Sequence, residues 1–255
     1  MHIGGIIQGR LLPPVDGHIQ EFPKDNWKEE FELIKELGMT HIEWIITKKS
    51  FEEGVLNLEL GEYADRISSI CCDNLIDKRI RNKKFLAEQL RPICDFAVKN
   101  GIKVIGIPLL EDSEVYYDNK RVMMDVLAPY GEVYPELEFH FEMEAPVDIA
   151  VELVGACHNF FFTYDTGNIT SCGYDHNNYL SKILKKTKNI HLKDRTIEPL
   201  ATVEPGTGDT NFEKIFDILK KNDYNCILTI QTARGETGKE KETIKRHKEF
   251  YEQFI

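Results

Sequence analysis

A (β/α)8 barrel is the fold the sequence predicts, and three observations predict it. Short β-branched or aromatic runs alternate with amphipathic helical patterns eight times along the chain. The strand ends are spaced roughly 23 to 40 residues apart, in a chain close to the ~250 residues typical of one such barrel. The first run ends in Gln8-Gly9-Arg10-Leu11, which is not the glycine-rich phosphate fingerprint that a doubly wound open sheet usually carries there. No low-complexity linker splits the sequence, so residues 1–255 are expected to form a single barrel domain.

The elements follow in order. Ile3 to Gln8 is the first strand, followed by the turn pair Pro13-Pro14. A helix is expected from Asn26, with Glu29 three residues on as a capping box, and Trp27, Phe31 and Ile34 tracking one face. His41 to Ile46 and Ile67 to Cys72 are the second and third strands, with a shorter helical stretch over Gly61 to Arg66 between them. The helix from Asn82 to Asn100 is the clearest: Leu86, Leu90, Ile93 and Ala97 form its stripe and Gly101 stops it. Strand four is Val104 to Leu109 and strand five Leu137 to Met143, with a helix over Lys120 to Leu127 between them. Val147 to Val154 is helical, and Phe160 to Tyr164, Asn189 to Leu192 and Cys226 to Ile230 are strands six to eight. Helices near Asn178 to Lys186, Phe212 to Lys221 and Glu240 to Phe254 complete the pattern.

Composition narrows the partners. Lys+Arg 32 against Asp+Glu 43 gives a net charge of −11, which disfavours nucleic-acid backbones and anionic membranes. No apolar run approaches the ~20 residues that span a bilayer, and Met1 to Arg10 reads as a strand rather than a signal peptide. The six cysteines contain no Cys-x-x-Cys spacing, so zinc-ribbon and thioredoxin-type readings lack support and a reduced, cytoplasmic setting is expected. A homo-oligomer built on helix faces is left open.

In a parallel barrel, chemistry sits at the C-terminal ends of the strands. Those ends offer Gln8 and Arg10, Glu43, Asp73, Glu111, Glu142 and Glu144, Asp165 and Asn168, His191 with Lys193 to Arg195, and Gln231 with Arg234. A strand covered on both faces should be apolar, so an ionisable residue within it needs a partner or a metal. Strand five alternates Leu137, Phe139, Phe141 and Met143 with Glu138, His140, Glu142 and Glu144. Glu142, Asp165 and His191 end three consecutive strands, and that oxygen and nitrogen set suits a divalent cation such as Mn²⁺, Mg²⁺, Co²⁺ or Zn²⁺. The competing reading makes each carboxylate a helix cap or loop bridge of its own. Arg10, Lys193, Arg195 and Arg234 bring positive charge to the mouth of an acidic protein, which favours a carboxylate or phosphate on the substrate. Pro205-Gly206-Thr207-Gly208-Asp209 has the look of a phosphate cradle, although a plain loop explains two glycines equally well. His140 fits a satisfied core histidine.

Six segments together resemble the xylose isomerase-like barrel superfamily over essentially the whole chain. They are Gln8-Gly9-Arg10-Leu11, His41-Ile42-Glu43-Trp44-Ile45, Ser69-Ile70-Cys71-Cys72-Asp73, Tyr164-Asp165-Thr166-Gly167-Asn168, His191-Leu192-Lys193-Asp194 and Gly206-Thr207-Gly208-Asp209. That superfamily holds sugar isomerases, ketose 3-epimerases, inosose dehydratases and endonuclease IV, and the nearest branch is that described as sugar phosphate isomerase/epimerase. The resemblance implies one divalent metal held by Glu142, Asp165 and His191, with the fourth position, usually Glu, falling on Gln231. Glutamine still offers a carbonyl oxygen but no charge and no base. Ketose 3-epimerases are thought to use two glutamate bases on opposite faces of a metal-held enediolate, so the departure favours isomerisation over epimerisation.

The expectation is therefore metal-dependent interconversion of a sugar or sugar phosphate through such an enediolate. Glu142, Glu43 and Lys193 are the candidate catalytic residues. Gln8, Arg10, Asp73, Asn168, Arg195 and Arg234 are the candidate substrate-binding set. The alternatives are a sugar-binding barrel that has lost its chemistry, and a hydrolase of the endonuclease IV type, which the missing early histidines and the acidic charge disfavour.

Overall fold

The computed structural model describes all 255 residues. Eight strands, all parallel, close into a barrel: β1 Ile3–Ile7, β2 His41–Ile45, β3 Ile67–Cys71, β4 Val104–Leu109, β5 Glu138–Met143, β6 Phe160–Asp165, β7 Thr187–Leu192 and β10 Ile227–Ile230. Closure comes from β1, which pairs with β2 on one side and β10 on the other. The predicted strands all form, each within two residues of its expected bounds. A further hairpin, β8 Asp194–Thr196 and β9 Ala201–Val203, follows β7 and was not expected.

Period-two alternation sorts the strands into two faces. Ile42, Trp44, Ile70, Phe139, Phe141, Phe162, Tyr164, Ile190, Leu192, Leu228 and Ile230 belong to one large buried hydrophobic cluster. The alternate positions on the same strands are Glu43, Ser69, His140, Glu142, Thr163, Asp165, Asn189, His191 and Thr229, and all of them are buried. The barrel interior is thus polar, and each group in it needs an internal partner. Gly106 on β4 borders this polar interior: a Cβ there would meet Glu43 Oε1 at 3.7 Å and the Ile70 carbonyl oxygen at 3.4 Å, ordinary contact distances.

The helices are α1 Trp27–Glu36, α2 Lys48–Glu52, α3 Lys83–Asn100, α4 Lys120–Val133, α5 Val147–Val154, α6 Thr166–Ser171, α7 His176–Ile183, α8 Phe212–Lys221 and α9 Glu240–Glu252. Capping behaves as expected at α3, where Asn82 accepts from the Lys84 and Phe85 amides and Gly101 ends the helix at φ 74°. Asn26 does precede α1, but its side chain makes no capping bond, so the expected capping box is absent. Gly61–Arg66 forms a 3-10 turn instead of an α-helix. Helix α4 runs through Pro129 to Val133, past the expected end at Leu127. Its buried residues Met123, Val126 and Leu127 continue to Gly131, and that packing outweighs the helix-breaking tendency of proline. No helix is long and apolar enough to cross a membrane.

Candidate active site

Asp165 ends β6, while Glu142 and His191 each lie one residue before the end of β5 and β7. Sheet register sets Asp165 directly beside His191. One ligand atom from each of the three residues comes within 4.8 Å of the others, and all three are buried. Asp165 divides its oxygens. Its Oδ1 accepts the Asn168 amide at 2.7 Å and caps α6, while its buried Oδ2 turns toward the cluster with the Lys193 ammonium, 2.8 Å away, beside it. His191 Nδ1 is buried and without a hydrogen bond, although Glu142 Oε2 lies 2.9 Å from it. Two carboxylates and an imidazole nitrogen converging on one buried point are a donor set that suits a divalent cation, so these residues fit the expected metal. The capping reading of Asp165 and the ligand reading therefore hold together, one on each oxygen.

The surroundings orient this cluster. His191 Nε2 lies 3.1 Å from Glu43 Oε2, which also accepts from Asn189 Nδ2 at 2.9 Å. Asn189 Oδ1 in turn accepts the Thr229 hydroxyl at 2.9 Å. Asn168 Nδ2 donates to Glu142 Oε1 at 2.6 Å, and Asn168 Oδ1 accepts from Arg195, which also reaches Glu144 Oε1 at 2.9 Å. Lys193 Nζ stands 2.8 Å from Asp165 Oδ2 and donates to Gln231 Oε1 at 2.9 Å.

Burial opposes ionisation of Glu142, but His191 and Lys193 outweigh it and hold the carboxyl at about 2. Glu43 is also held down, since the His191 charge overcomes its burial. Asp165 is pushed up by burial and by Glu142, with Lys193 opposing. Asp73 rises to about 6, chiefly through burial, despite hydrogen bonds from Cys71 and Gln20.

A cavity of about 200 Å³ opens at the mouth, and its polar lining includes Arg10, Gln20, Asp73, Glu142, Lys193 and Gln231. The structure thus brings together five of the expected residues and adds Gln20. Gln20 bridges the site: its Oε1 accepts from Arg10 at 3.1 Å and its Nε2 donates to Asp73 Oδ2 at 2.6 Å. Nothing in the sequence distinguished it from other polar loop residues. Glu43 is only 2% exposed and stays outside this cavity, facing the far nitrogen of His191. Gln8 is buried too, and its Oε1 accepts the Ile45 amide. Arg234 spends three of its N–H groups on the carbonyls of Gly9, Leu12 and Ile19.

The Gly206–Gly208 loop binds an anion, but the anion is internal. Asp194 Oδ2 accepts the Gly206 and Gly208 amides at 2.8 and 2.9 Å, and Oδ1 accepts that of Thr210 at 3.2 Å. The loop is therefore filled by the protein's own carboxylate, in keeping with the plain-loop reading.

Comparison with known proteins agrees with the barrel fold. The family described as xylose isomerase-like TIM barrel matches residues 8–254. Among curated relatives, the inosose dehydratase of Clostridium perfringens (strain ATCC 13124) is 28% identical over 91 residues, 29% of this chain and 31% of that enzyme. The match thus spans under a third of that relative. The inosose dehydratase of Bacillus cereus (strain AH820) is 20% identical over 220 residues, 74% of each chain. Among solved structures, the IolI protein with a bound zinc atom superposes with a TM-score of 0.77 at 17% identity, covering 100% of this chain and 99% of that one.

Proposed function

The chain belongs to the xylose isomerase-like TIM barrel family, and from that premise we propose that it is a divalent-metal-dependent enzyme that rearranges a sugar or sugar phosphate by moving a proton beside its carbonyl. The observation that carries this reading is the convergence of Glu142, Asp165 and His191 next to a polar cavity that also holds Asp73 and Lys193.

Glu142, Asp165 and His191 would hold the metal, with the Gln231 carbonyl as a neutral fourth donor. The ion, when bound, supplies positive charge that acidifies the carbon next to a carbonyl. The chain's own residues divide the remaining tasks. A carboxyl held at about 2 is a good ligand and a weak base, so Glu142 serves the metal. Asp73, at about 6, is matched to proton transfer near neutrality and is the better base. Its Oδ2 is fixed by Gln20 and its Oδ1 by Cys71 at 3.2 Å. Lys193 places an ammonium at the cavity wall, suited to a substrate oxygen that gains negative charge. Glu43 supports His191 from below: by accepting at Nε2 it leaves Nδ1 for the metal.

With glutamine at position 231, no second carboxylate base stands where two-face epimerisation would need one. Aldose–ketose isomerisation moves a proton between neighbouring carbons on one face, so one carboxyl suffices. Dehydration is the second reading, favoured by the same Asp73 and by the relatives' name, inosose dehydratase. There the carboxyl would take the proton beside the carbonyl and pass it to the departing β-hydroxyl, which leaves as water.

The test is metal content and turnover. Protein purified without chelator should carry about one equivalent of divalent metal. Glu142→Ala and Asp165→Ala should each lose it while keeping the wild-type circular dichroism spectrum. Wild-type metal content in either variant would remove the assignment. Assays on ketoses, their phosphates and inososes then separate isomerisation from dehydration, the latter giving a product lighter by one water.

A further inference from the structure

A second hollow of about 320 Å³ adjoins the site cavity, and Arg10, Ile19 and Thr202 line both. Three chain segments enclose it: the loop after β1, strand β9, and the loop from Ala233 to the start of α9. In barrels of this architecture, the loops after the last two strands are the common seat of a phosphate.

Two arginines and a single carboxylate line this hollow. Arg10 is 4% exposed, and its guanidinium donates to the carbonyls of Ile19 and Thr232 and to Gln20 Oε1, all neutral acceptors. Arg234, half-buried beside it, donates only to the carbonyls of Gly9, Leu12 and Ile19. A guanidinium has five N–H donors, so each arginine keeps two in reserve. Burial and the Arg234 charge together push Arg10 down to about 9, against the opposing pull of the Asp73 and Glu30 carboxylates. Glu240 is the one carboxylate in the lining, and it turns back to the Gly238 amide at 3.0 and 3.1 Å. Two neighbouring guanidinium groups with N–H donors to spare offer an anion both charge and hydrogen bonds.

We propose that this hollow receives the phosphoryl group of the substrate, with Arg10 and Arg234 as its cationic wall and Thr202 and Thr237 as hydroxyl donors. The inference rests on the sugar-handling reading of the adjoining cavity. Four spare N–H groups match the three terminal oxygens of a phosphate monoester better than the two of a carboxylate. A volume equal to about ten waters accommodates it. The sugar portion would lie in the smaller cavity, with Arg10 between the two.

The experiment is calorimetric titration of inorganic phosphate into the purified protein, repeated on Ala233→Asp and Thr202→Asp. These substitutions insert a carboxylate into the hollow from two different segments and leave both arginine networks in place. One phosphate should bind per wild-type chain, and each variant should weaken it by about tenfold or more. Glu142→Ala should bind phosphate as wild type does, which keeps this result separate from the fate of the metal site. A ketose phosphate should displace the ion, whereas the same ketose without its phosphate, or the matching sugar acid, should not. Absence of saturable phosphate binding would overturn the proposal, as would equal affinity in both variants. Failure of the ketose phosphate to compete, or displacement by the sugar acid instead, would overturn it as well.

Discussion

Glu43, fully buried, and Asp73, half-buried at the cavity mouth, are both carboxylates near strand ends, and their surroundings give them opposite chemistry. Glu43 is held ionised by His191 and serves as its hydrogen-bond acceptor. Carboxylates in that position typically contribute 10–100-fold to metal affinity. Glu43→Leu should therefore weaken divalent metal binding by about that factor, and Glu43→Gln, which keeps an acceptor, should recover most of it. Nitrogen-15 spectra of His191 give the independent readout: wild type should carry its proton on Nε2. Unchanged metal affinity in Glu43→Leu would leave Glu43 without a supporting role. Asp73 lacks a cationic partner within contact and sits at about 6. As a base it acts only when ionised, so kcat/KM should rise with pH through about 6, and Asp73→Asn should remove that limb along with most of the turnover. A limb that persists in Asp73→Asn would return the base role to Glu142. Position on the strand ends was enough to nominate both residues from the sequence. Their division of labour was not legible, because it depends on which neighbours reach them across the barrel.

At the scale of elements, the strands were legible because each is a short apolar run bounded by turn residues, and packing against helices leaves little freedom in register. The metal trio was legible for the same reason, since ionisable residues that end three consecutive strands must meet at the mouth. Loops were not. Gln20 enters the site from the segment between β1 and α1, and the β8–β9 hairpin rests on only three residue pairs. The Gly206–Gly208 loop shows what the sequence pattern could not say, namely which anion the glycine amides meet. Gly208 is tied to that answer, because a Cβ there would lie 2.3 Å from Asp194 Oδ1. Asp194 is fully buried and serves three amides at once. Removing it by Asp194→Ala should cost about 2–4 kcal/mol and lower Tm by roughly 5–10 °C. A melting curve within a degree or two of wild type would mean that water replaces the carboxylate at little cost.

For the whole molecule, the critical seam is where β1 meets β10, since that pairing converts an open sheet into a barrel. Two side chains reinforce it from outside the sheet. Arg234, beyond β10, binds three carbonyls of the loop after β1, and Glu30 on α1 accepts the Gly9 and Leu11 amides of the same loop. Glu30 is 1% exposed, and burial pushes it up to about 7 against those hydrogen bonds and the two arginines. Its folded-state pKa therefore lies above the unfolded value of 4.5. The native state holds the proton more tightly, so this contribution is complete below pH 4.5 and is lost as pH rises through about 7. The shift corresponds to about 3 kcal/mol across that window. Glu30→Gln keeps a carbonyl for the amides and never ionises, so the variant should lack this dependence. Measured by denaturant unfolding, wild-type stability relative to Glu30→Gln should decline from pH 5 to pH 8 by roughly that amount. A difference that stays flat over this range would mean that Glu30 remains ionised in the folded protein, with Arg10 and Arg234 as its effective counter-ions. In that case the two arginines would have less charge to spare for a substrate anion.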